Sequence, residues 1–252
     1  MEQCPGVLGE RKSRERIAVI ADIHGNLPSL QAVLADIESR RVERVFCLGD
    51  LVGYGPWPNE VIDLLRARSV HCLQGNYDQS VGEELMACGC DFSSEEAARV
   101  GEISLNWTID ATSDRNKAWL RDLPAAHSLE LAGHRLLLVH GSPRQNNEYL
   151  TADYPAEQLR AFLDEADADV LLCGHTHLPY HRQIGSKHVI NVGSAGKPKH
   201  GNPNVVYQIV ELAAQVAVTT VEVPYDFELT AAEIEKAGLP SEFAAIIRTG
   251  NA

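Results

Sequence analysis

Ile17-Ala18-Val19-Ile20-Ala21 runs straight into Asp22-Ile23-His24, an apolar segment that stops at two metal-type ligands. The same event recurs along the chain. Val45-Phe46-Cys47-Leu48 precedes Gly49-Asp50, and Val70-His71-Cys72-Leu73 precedes Gly75-Asn76. Leu136-Leu137-Leu138-Val139 precedes His140, and Val170-Leu171-Leu172-Cys173 precedes Gly174-His175-Thr176-His177. Short runs rich in β-branched residues and leucine read as buried strands. In sheets flanked by helices, the loops beyond the carboxyl ends of strands carry polar groups into a shared crevice. Ligand groups arriving repeatedly at that end predict an α/β fold with a metal site at the strand tips.

The segments between these strands read as helices. Pro28 to Arg40 places Leu30, Val33, Leu34 and Ile37 at helical spacing, and Asn59 to Arg68 does so with Val61, Ile62, Leu64 and Leu65. Gln79 to Pro124 carries helix-compatible stretches at Ser94 to Trp107 and Asp114 to Leu123 and no strong strand, so residues 79–124 read as a helical excursion. Ser93 or Ser94, followed by Glu95 and Glu96, is a plausible helix start. Strands resume at Ser128 to Leu131 and Arg135 to Val139, joined across Ala132-Gly133-His134, and Ala156 to Glu165 reads as a helix. Tyr180 to Ile184, Lys187 to Val192, Val205 to Leu212 and Gln215 to Val223 read as further strands forming a mostly antiparallel second sheet. Thr230 to Lys236 and Ser241 to Arg248 look helical. Residues 1–16 read as a flexible lead-in to a single domain over 17–252.

Composition sets bounds. The 252 residues are 44% hydrophobic and 23% charged, ordinary for a globular enzyme domain. A formal charge of -13 argues against an extended nucleic-acid footprint, which depends on Lys and Arg displacing counterions. No apolar stretch suits a signal peptide or a membrane span, so the expected setting is cytoplasmic, without membrane partners. The six cysteines (Cys4, Cys47, Cys72, Cys88, Cys90 and Cys173) are too few for a disulfide scaffold and are expected to be reduced. Cys88-Gly89-Cys90 lacks the second thiol pair of a typical soft-metal site.

Asp22 and His24 are two apart, which on an extended strand end puts both side chains on one side. His175 and His177 repeat that spacing. Asp50 has two oxygens and is able to bridge ions, and Asn76 offers a neutral carbonyl oxygen. Carboxylate with imidazole suits manganese, iron, zinc or nickel better than calcium. Taken singly, Asp-x-His or Gly-Asp more often closes a turn. Recurrence in order, at one kind of structural position, reverses that reading.

The ordered set resembles the calcineurin-like metallophosphoesterases, whose signature runs Asp-x-His, Gly-Asp, Gly-Asn-His-Asp/Glu, a lone His after a strand, and Gly-His-x-His. Here it appears as Asp22-Ile23-His24, Gly49-Asp50, Gly75-Asn76-Tyr77-Asp78, His140-Gly141 and Gly174-His175-Thr176-His177, spanning roughly Ile17 to Gly196. Leu51 to Pro56, His140 to Pro143 and Asn191 to Ser194 look like the small prokaryotic branch that includes phosphodiesterases and relatives of diadenosine tetraphosphatases. The resemblance implies a four-layer α-β-β-α sandwich of two mixed β-sheets flanked by helices. It also implies a dinuclear centre in which Asp22, His24 and His177 hold one ion, Asp50 bridges, and Asn76, His140 and His175 hold the other. Two divalent ions are expected, manganese first, with nickel, iron, zinc and magnesium as alternatives. A hydroxide between them would attack phosphorus in line with the leaving oxygen.

One position departs from that pattern. Many family members carry a histidine after the asparagine, where it is thought to protonate the leaving group; here it is Tyr77, whose phenol has an unperturbed pKa of about 10. Asp50, Asn76, Tyr77 and Asp78 form the expected catalytic set, with Asp78 orienting a neighbour or starting a helix. Asn26, Arg144, Lys199 and His200 are candidate substrate contacts, and Lys197 lies in the same loop as two of them; Asn26 reads equally well as a helix cap. The expected substrate is a small phosphate ester or nucleotide, and the expected activity phosphodiester hydrolysis. The alternatives are a phosphomonoesterase or nucleotide phosphatase, including diadenosine tetraphosphate or protein dephosphorylation, and a non-catalytic, metal-stabilised binding scaffold.

Overall fold

The computed structural model describes residues 14–91 and 94–251. Ser93 and Cys4 lie outside them, as does most of the expected lead-in. The first strand begins earlier than the apolar run suggests: β1 spans Glu15–Ile20, so Glu15 and Arg16 belong to it rather than to the lead-in. Backbone pairing explains the difference, because Glu15 and Arg16 face Leu212 and Glu211 on a neighbouring strand.

The order continues α1 (Leu27–Ser39), β2 (Arg44–Cys47), α2 (Pro58–Ala67), β3 (His71–Cys72), α3 (Asn76–Gly82), α4 (Glu95–Ala111), α5 (Asp114–Arg121), β4 (Ala126–Leu131) and β5 (His134–Val139). It closes with α6 (Ala156–Glu165), β6 (Val170–Cys173), β7 (Tyr180–Ile184), β8 (Lys187–Asn191), β9 (Val205–Leu212), β10 (Val216–Val223), α7 (Phe227–Lys236) and α8 (Ser241–Thr249). Ser94 caps α4, accepting from Ala97 N–H at 3.1 Å, ahead of Glu95 and Glu96 in the first turn. No helix among the described residues is long and apolar enough to cross a membrane.

Ten strands form two mixed sheets, β10-β9-β1-β2-β3 and β4-β5-β6-β8-β7. In the first, β1, β2 and β3 run parallel while β9 and β10 are antiparallel additions. In the second, β5, β6 and β8 run parallel between antiparallel β4 and β7. The expected antiparallel second sheet therefore needs correction. Only β7 and β8 of the C-terminal strands join that sheet, whereas β9 and β10 return to pair beside β1. Alternation along a strand is the same for either sheet, so sequence alone does not choose between these partners.

The period-2 pattern sorts β1 into two cores. Ile17, Val19 and Ala21 face Leu136, Leu138, Val170 and Leu172 across the seam between the sheets. Ala18 and Ile20 point outward onto the layer containing α1, α2, α7 and α8. Leu137, Val139 and Leu171 face away from the seam onto Leu159, Phe162 and Leu163 of α6. This is the α-β-β-α sandwich, with the carboxyl ends of the parallel strands of both sheets meeting at one rim.

Candidate metal centre

At that rim the chain leaves β1 without stopping its hydrogen bonding. Asp22 N–H donates to Gly49 O at 3.0 Å, Ile23 and His24 N–H to Asp50 O at 2.8 and 3.0 Å, and Gly25 N–H to Leu51 O at 2.8 Å. The backbone is not extended here, however. Asp22, His24, Asp50, His175 and His177 all lie at φ between 50° and 65°, the left-handed region that L residues seldom occupy and that gathers at functional sites. Asp22 and His24 share a side because of these left-handed turns, not because of the strand alternation expected from their spacing.

The imidazoles are fixed one by one. Nδ1–H of His24 donates to Val52 O (3.1 Å), that of His140 to Leu48 O (2.9 Å), and that of His177 to Lys197 O (2.6 Å). A carbonyl only accepts, so each Nδ1 carries a proton, and in the neutral rings of His24 and His177 the Nε2 lone pair turns inward. The Nε2 atoms of His24 and His177 then face each other at 3.2 Å. Burial holds both rings below the ordinary histidine range, His24 at about 3. Two neutral acceptors in contact repel unless a cation lies between them.

The carboxylates are divided in the same way. Asp22 takes His175 N–H on Oδ2 at 3.0 Å, leaving Oδ1 buried, without a hydrogen bond, and 3.3 Å from His177 Nε2. Asp50 takes Tyr77 N–H on Oδ1 at 2.9 Å, and its Oδ2 lies 3.6 Å from His24 Nε2 and 3.4 Å from His140 Nε2. Burial opposes a charge on Asp50, but His140 and His24 outweigh it and hold the carboxyl below its usual range. Burial likewise opposes a proton on His140, and Asp50 outweighs it, raising the ring to about 9. Asn76 donates from Nδ2 to Cys88 O (2.9 Å), so its Oδ1 points at His140 Nε2, 3.1 Å away. Both ring nitrogens of the buried His175 lack a hydrogen bond.

These atoms form two groups with metal-ligand spacing, Asp22–His24–His177 and Asp50–His140–His175, with Asn76 against the second and Asp50 Oδ2 near both. Inward lone pairs and an orphaned carboxylate oxygen fit a pair of divalent cations. No cysteine belongs to either group among the described residues; Cys90 Sγ accepts from Asn76 Nδ2 at 3.3 Å.

Asp78 orients its neighbours at the start of a helix, both of the roles its position suggested. Its carboxylate accepts from the N–H groups of Asp50 (2.7 Å), Leu51 (2.9 Å) and Gly75 (2.9 Å), tying the Gly49-Asp50 loop to the start of α3. Burial and the Asp50 charge push it up to about 7. Tyr77 is fully buried between Tyr54 and the His24 ring, and its hydroxyl has no hydrogen bond. Burial raises its phenol well above the ordinary range, which makes it a weaker acid than a free phenol and far weaker than an imidazolium.

A cavity of about 550 Å³ opens over the two ligand groups. Its walls come from Tyr54, Tyr77, Tyr149, Lys197, Lys199 and, from the distant C-terminal helix α8, Phe243 and Ile246. Of the expected substrate contacts, Lys199 lines this cavity and the others do not. Asn26 is the N-cap of α1: its Oδ1 accepts from Ser29 N–H and Thr230 Oγ1, and its Nδ2 donates to Gly196 O and Tyr225 Oη. Arg144 is held by Glu148 and the Tyr154 hydroxyl, and His200 is half-buried away from the cavity. Sequence reasoning missed Tyr149, Phe243 and Ile246, which carry no motif. Tyr54 lay inside a recognised stretch without being singled out.

Comparison with known proteins agrees with this geometry. Residues 16–215 match the model of the calcineurin-like phosphoesterase superfamily domain. An uncharacterised protein of Methanocaldococcus jannaschii is 31% identical over 90% of this chain and 95% of its own. The phosphodiesterase YfcE of Escherichia coli is 27% identical over 82% of this chain and 98% of its own. The crystal structure of a metallophosphoesterase from Sphaerobacter thermophilus superposes with a TM-score of 0.74 at 29% identity, covering 93% of this chain and 98% of that one. The match covers most of the sequence and every motif loop: this chain belongs to the calcineurin-like phosphoesterase superfamily and is a phosphoesterase.

Proposed function

We propose that the protein hydrolyses phosphodiester bonds in small organic molecules, using two divalent ions, manganese first. The observation that carries the metal reading is the 3.2 Å contact between the His24 and His177 Nε2 atoms, in rings whose Nδ1–H is taken by a backbone carbonyl and which burial keeps neutral, beside the unpartnered Asp22 Oδ1. Asp22, His24 and His177 would hold one ion, and Asn76, His140 and His175 the other, with Asp50 between them. Ions held there would supply charge neutralisation at the phosphoryl oxygens and a water acidic enough to ionise near neutrality. The chain's own residues do the positioning. Backbone N–H groups of His175 and Tyr77 orient the two carboxylates, and Tyr54 and Tyr77 exclude water from the side beneath His24.

A diester is favoured because the buried Tyr77 phenol is a poorer acid than the histidine many relatives carry there, and a diester asks less charge neutralisation of the site than a dianionic monoester. The 27% identity to a protein named as a phosphodiesterase supports the same reading. A small substrate suits a cavity roofed by α4 and α8 better than a nucleic-acid strand, and a net charge of -13 agrees. The five free thiols among the described residues support a reducing, cytoplasmic setting.

The test is to strip the protein of metal, restore manganese, nickel, magnesium or zinc, and offer bis-p-nitrophenyl phosphate beside p-nitrophenyl phosphate. Diester turnover supports the proposal, and turnover of the monoester alone replaces it with a phosphomonoesterase. Tight metal binding with no turnover of either favours a scaffold. Asp50→Asn should abolish turnover by weakening both sites; a wild-type rate would remove Asp50 from the bridge.

A further inference from the structure

The cavity contains two cations that the fold itself leaves unneutralised. Lys197 is only 6% exposed, and its ammonium lies 4.0 Å from the centre of the Tyr54 ring, which in turn packs 4.8 Å from the His24 ring. Its main-chain oxygen accepts from the ligand His177, so the loop carrying it is pinned to the metal centre. Lys199 lines the same cavity two residues on. Neither ammonium has an ion pair or hydrogen bond with any described residue. Of the acidic groups on the cavity wall, Glu96 is paired with Arg99, and neither Asp91 nor Glu242 forms an ion pair with either lysine among the described residues. A buried ammonium without an anion is costly, and a cation–π contact offsets only part of that cost. Buried Lys197 and partly buried Lys199, beside a site suited to dications, are arranged for more negative charge than one scissile diester brings.

The rest of the lining has a different chemistry, and it adjoins the lysines: Phe243 packs 4.8 Å from the Tyr54 ring. Tyr149, Phe243 and Ile246 present aromatic and apolar surface, and about 550 Å³ is room for a drug-sized molecule rather than a bare phosphate.

We propose that Lys197 and Lys199 form an anion subsite beside the metal centre, and that the substrate is a nucleotide-like phosphate ester bearing a second phosphoryl or comparable anionic group. The flat, apolar arm of that substrate rests on the aromatic lining that Phe243 and Tyr149 contribute. This deepens the phosphodiesterase reading and rests on it for the identity of the reaction, but the subsite is testable by binding alone.

The binding test titrates adenosine 3′,5′-bisphosphate and adenosine 5′-monophosphate calorimetrically into manganese-loaded and metal-free protein. The bisphosphate should bind at least tenfold more tightly, and Lys199→Gln and Lys197→Met should each reduce that ratio to within about threefold. Lys199 is only partly buried, so Lys199→Gln keeps the test valid if Lys197→Met fails to fold. Equal affinities in the wild-type protein, or a preference that survives both substitutions, overturn the subsite.

The kinetic test compares the p-nitrophenyl ester of thymidine 5′-monophosphate with the same ester carrying a 3′-phosphate. The added phosphate should raise kcat/KM at least tenfold, through KM, and the lysine variants should collapse the ratio. Turnover of both esters at equal kcat/KM leaves the diesterase reading standing and removes the subsite. A bisphosphate binding preference without hydrolysis of either ester keeps the subsite and removes the diesterase.

Discussion

Gly75→Ala isolates the packing that places the bridging carboxylate. Gly75 has φ −85° and ψ 175°, an extended conformation open to any residue, so alanine meets no backbone objection there. By restricting the unfolded chain it should even add about 0.4–1 kcal/mol of stability. The obstacle is steric: a Cβ on residue 75 would fall 2.2 Å from Asp50 Oδ1 and 2.3 Å from Asp50 N. Ordinary contact requires the Asp50 loop to retreat by roughly an ångström, and overpacking of that kind costs about 1–3 kcal/mol. The net loss is then about 1–2 kcal/mol, read from urea unfolding of the metal-free protein. Activity should suffer more, because an ångström of misplacement at a reacting centre is worth about 10² in rate. The control is Gly133→Ala, at φ +77° with nothing within 4 Å of the added carbon. It should lose a similar 1–2 kcal/mol through left-handed strain and keep its rate of bis-p-nitrophenyl phosphate hydrolysis. Equal rates for the two variants would refute the claim that the close approach of Gly75 to Asp50 positions that carboxylate.

Other outcomes follow from the same geometry. Tyr77→His should accelerate esters with poor leaving groups at least tenfold more than p-nitrophenyl esters, since a positioned acid is worth about 10² to 10⁴ where the leaving oxygen needs a proton; equal acceleration of both would reject a missing-acid role. Manganese at a hundredfold excess over its Kd should stabilise the protein by about 2.7 kcal/mol per site, or about 5–10 °C in Tm. An unchanged Tm on chelation and re-addition would contradict two binding sites. Glu148 accepts from Ser142, Arg144 and Tyr154; although burial opposes its charge, these donors hold its carboxyl down at about 2. A depressed acid stabilises the fold above its unfolded pKa of about 4.3 and loses that contribution as pH falls towards 2. The Tm difference between the wild-type protein and Glu148→Gln should therefore be constant above about pH 5 and shrink below it; a difference independent of pH would show that the charge contributes nothing.

The strands buried on both faces were legible because such positions admit mostly apolar residues: β6 and β9 begin and end where the composition changes. Sheet membership was not, since β9 and β10 would satisfy either sheet and their place beside β1 depends on pairing nearly 200 residues away. The ligand groups stood out because Asp and His end runs of apolar residues. Their backbone did not, because left-handed φ values at Asp22, His24 and His175 have no glycine to announce them. Helix α3 was overlooked as a short, polar element, although Asp78 at its third residue explains why it starts there. The cavity wall was the least legible part. Phe243 and Ile246 look like any apolar positions of an amphipathic helix until α8 is placed over the metal centre.

The left-handed residues bear on why the centre is rigid. Each costs free energy that the local sequence does not return, and persists only if its surroundings over-determine it. The surroundings here are the other ligand loops. Gly174 N–H donates to His140 O, His175 N–H to Asp22 Oδ2, Ser194 Oγ to Asp22 O, and Ala195 N–H to Ala21 O, which ties the ligand loops of the two sheets together. Asp78 does the same between the Asp50 and Asn76 loops of the first sheet. The inward lone pairs are thus held together by bonds that need no ion, and most of the electrostatic cost of crowding them falls on folding rather than on metal binding. That division of cost explains why Gly75, which contributes no ligand atom, should matter to catalysis while the hairpin glycine Gly133 should not.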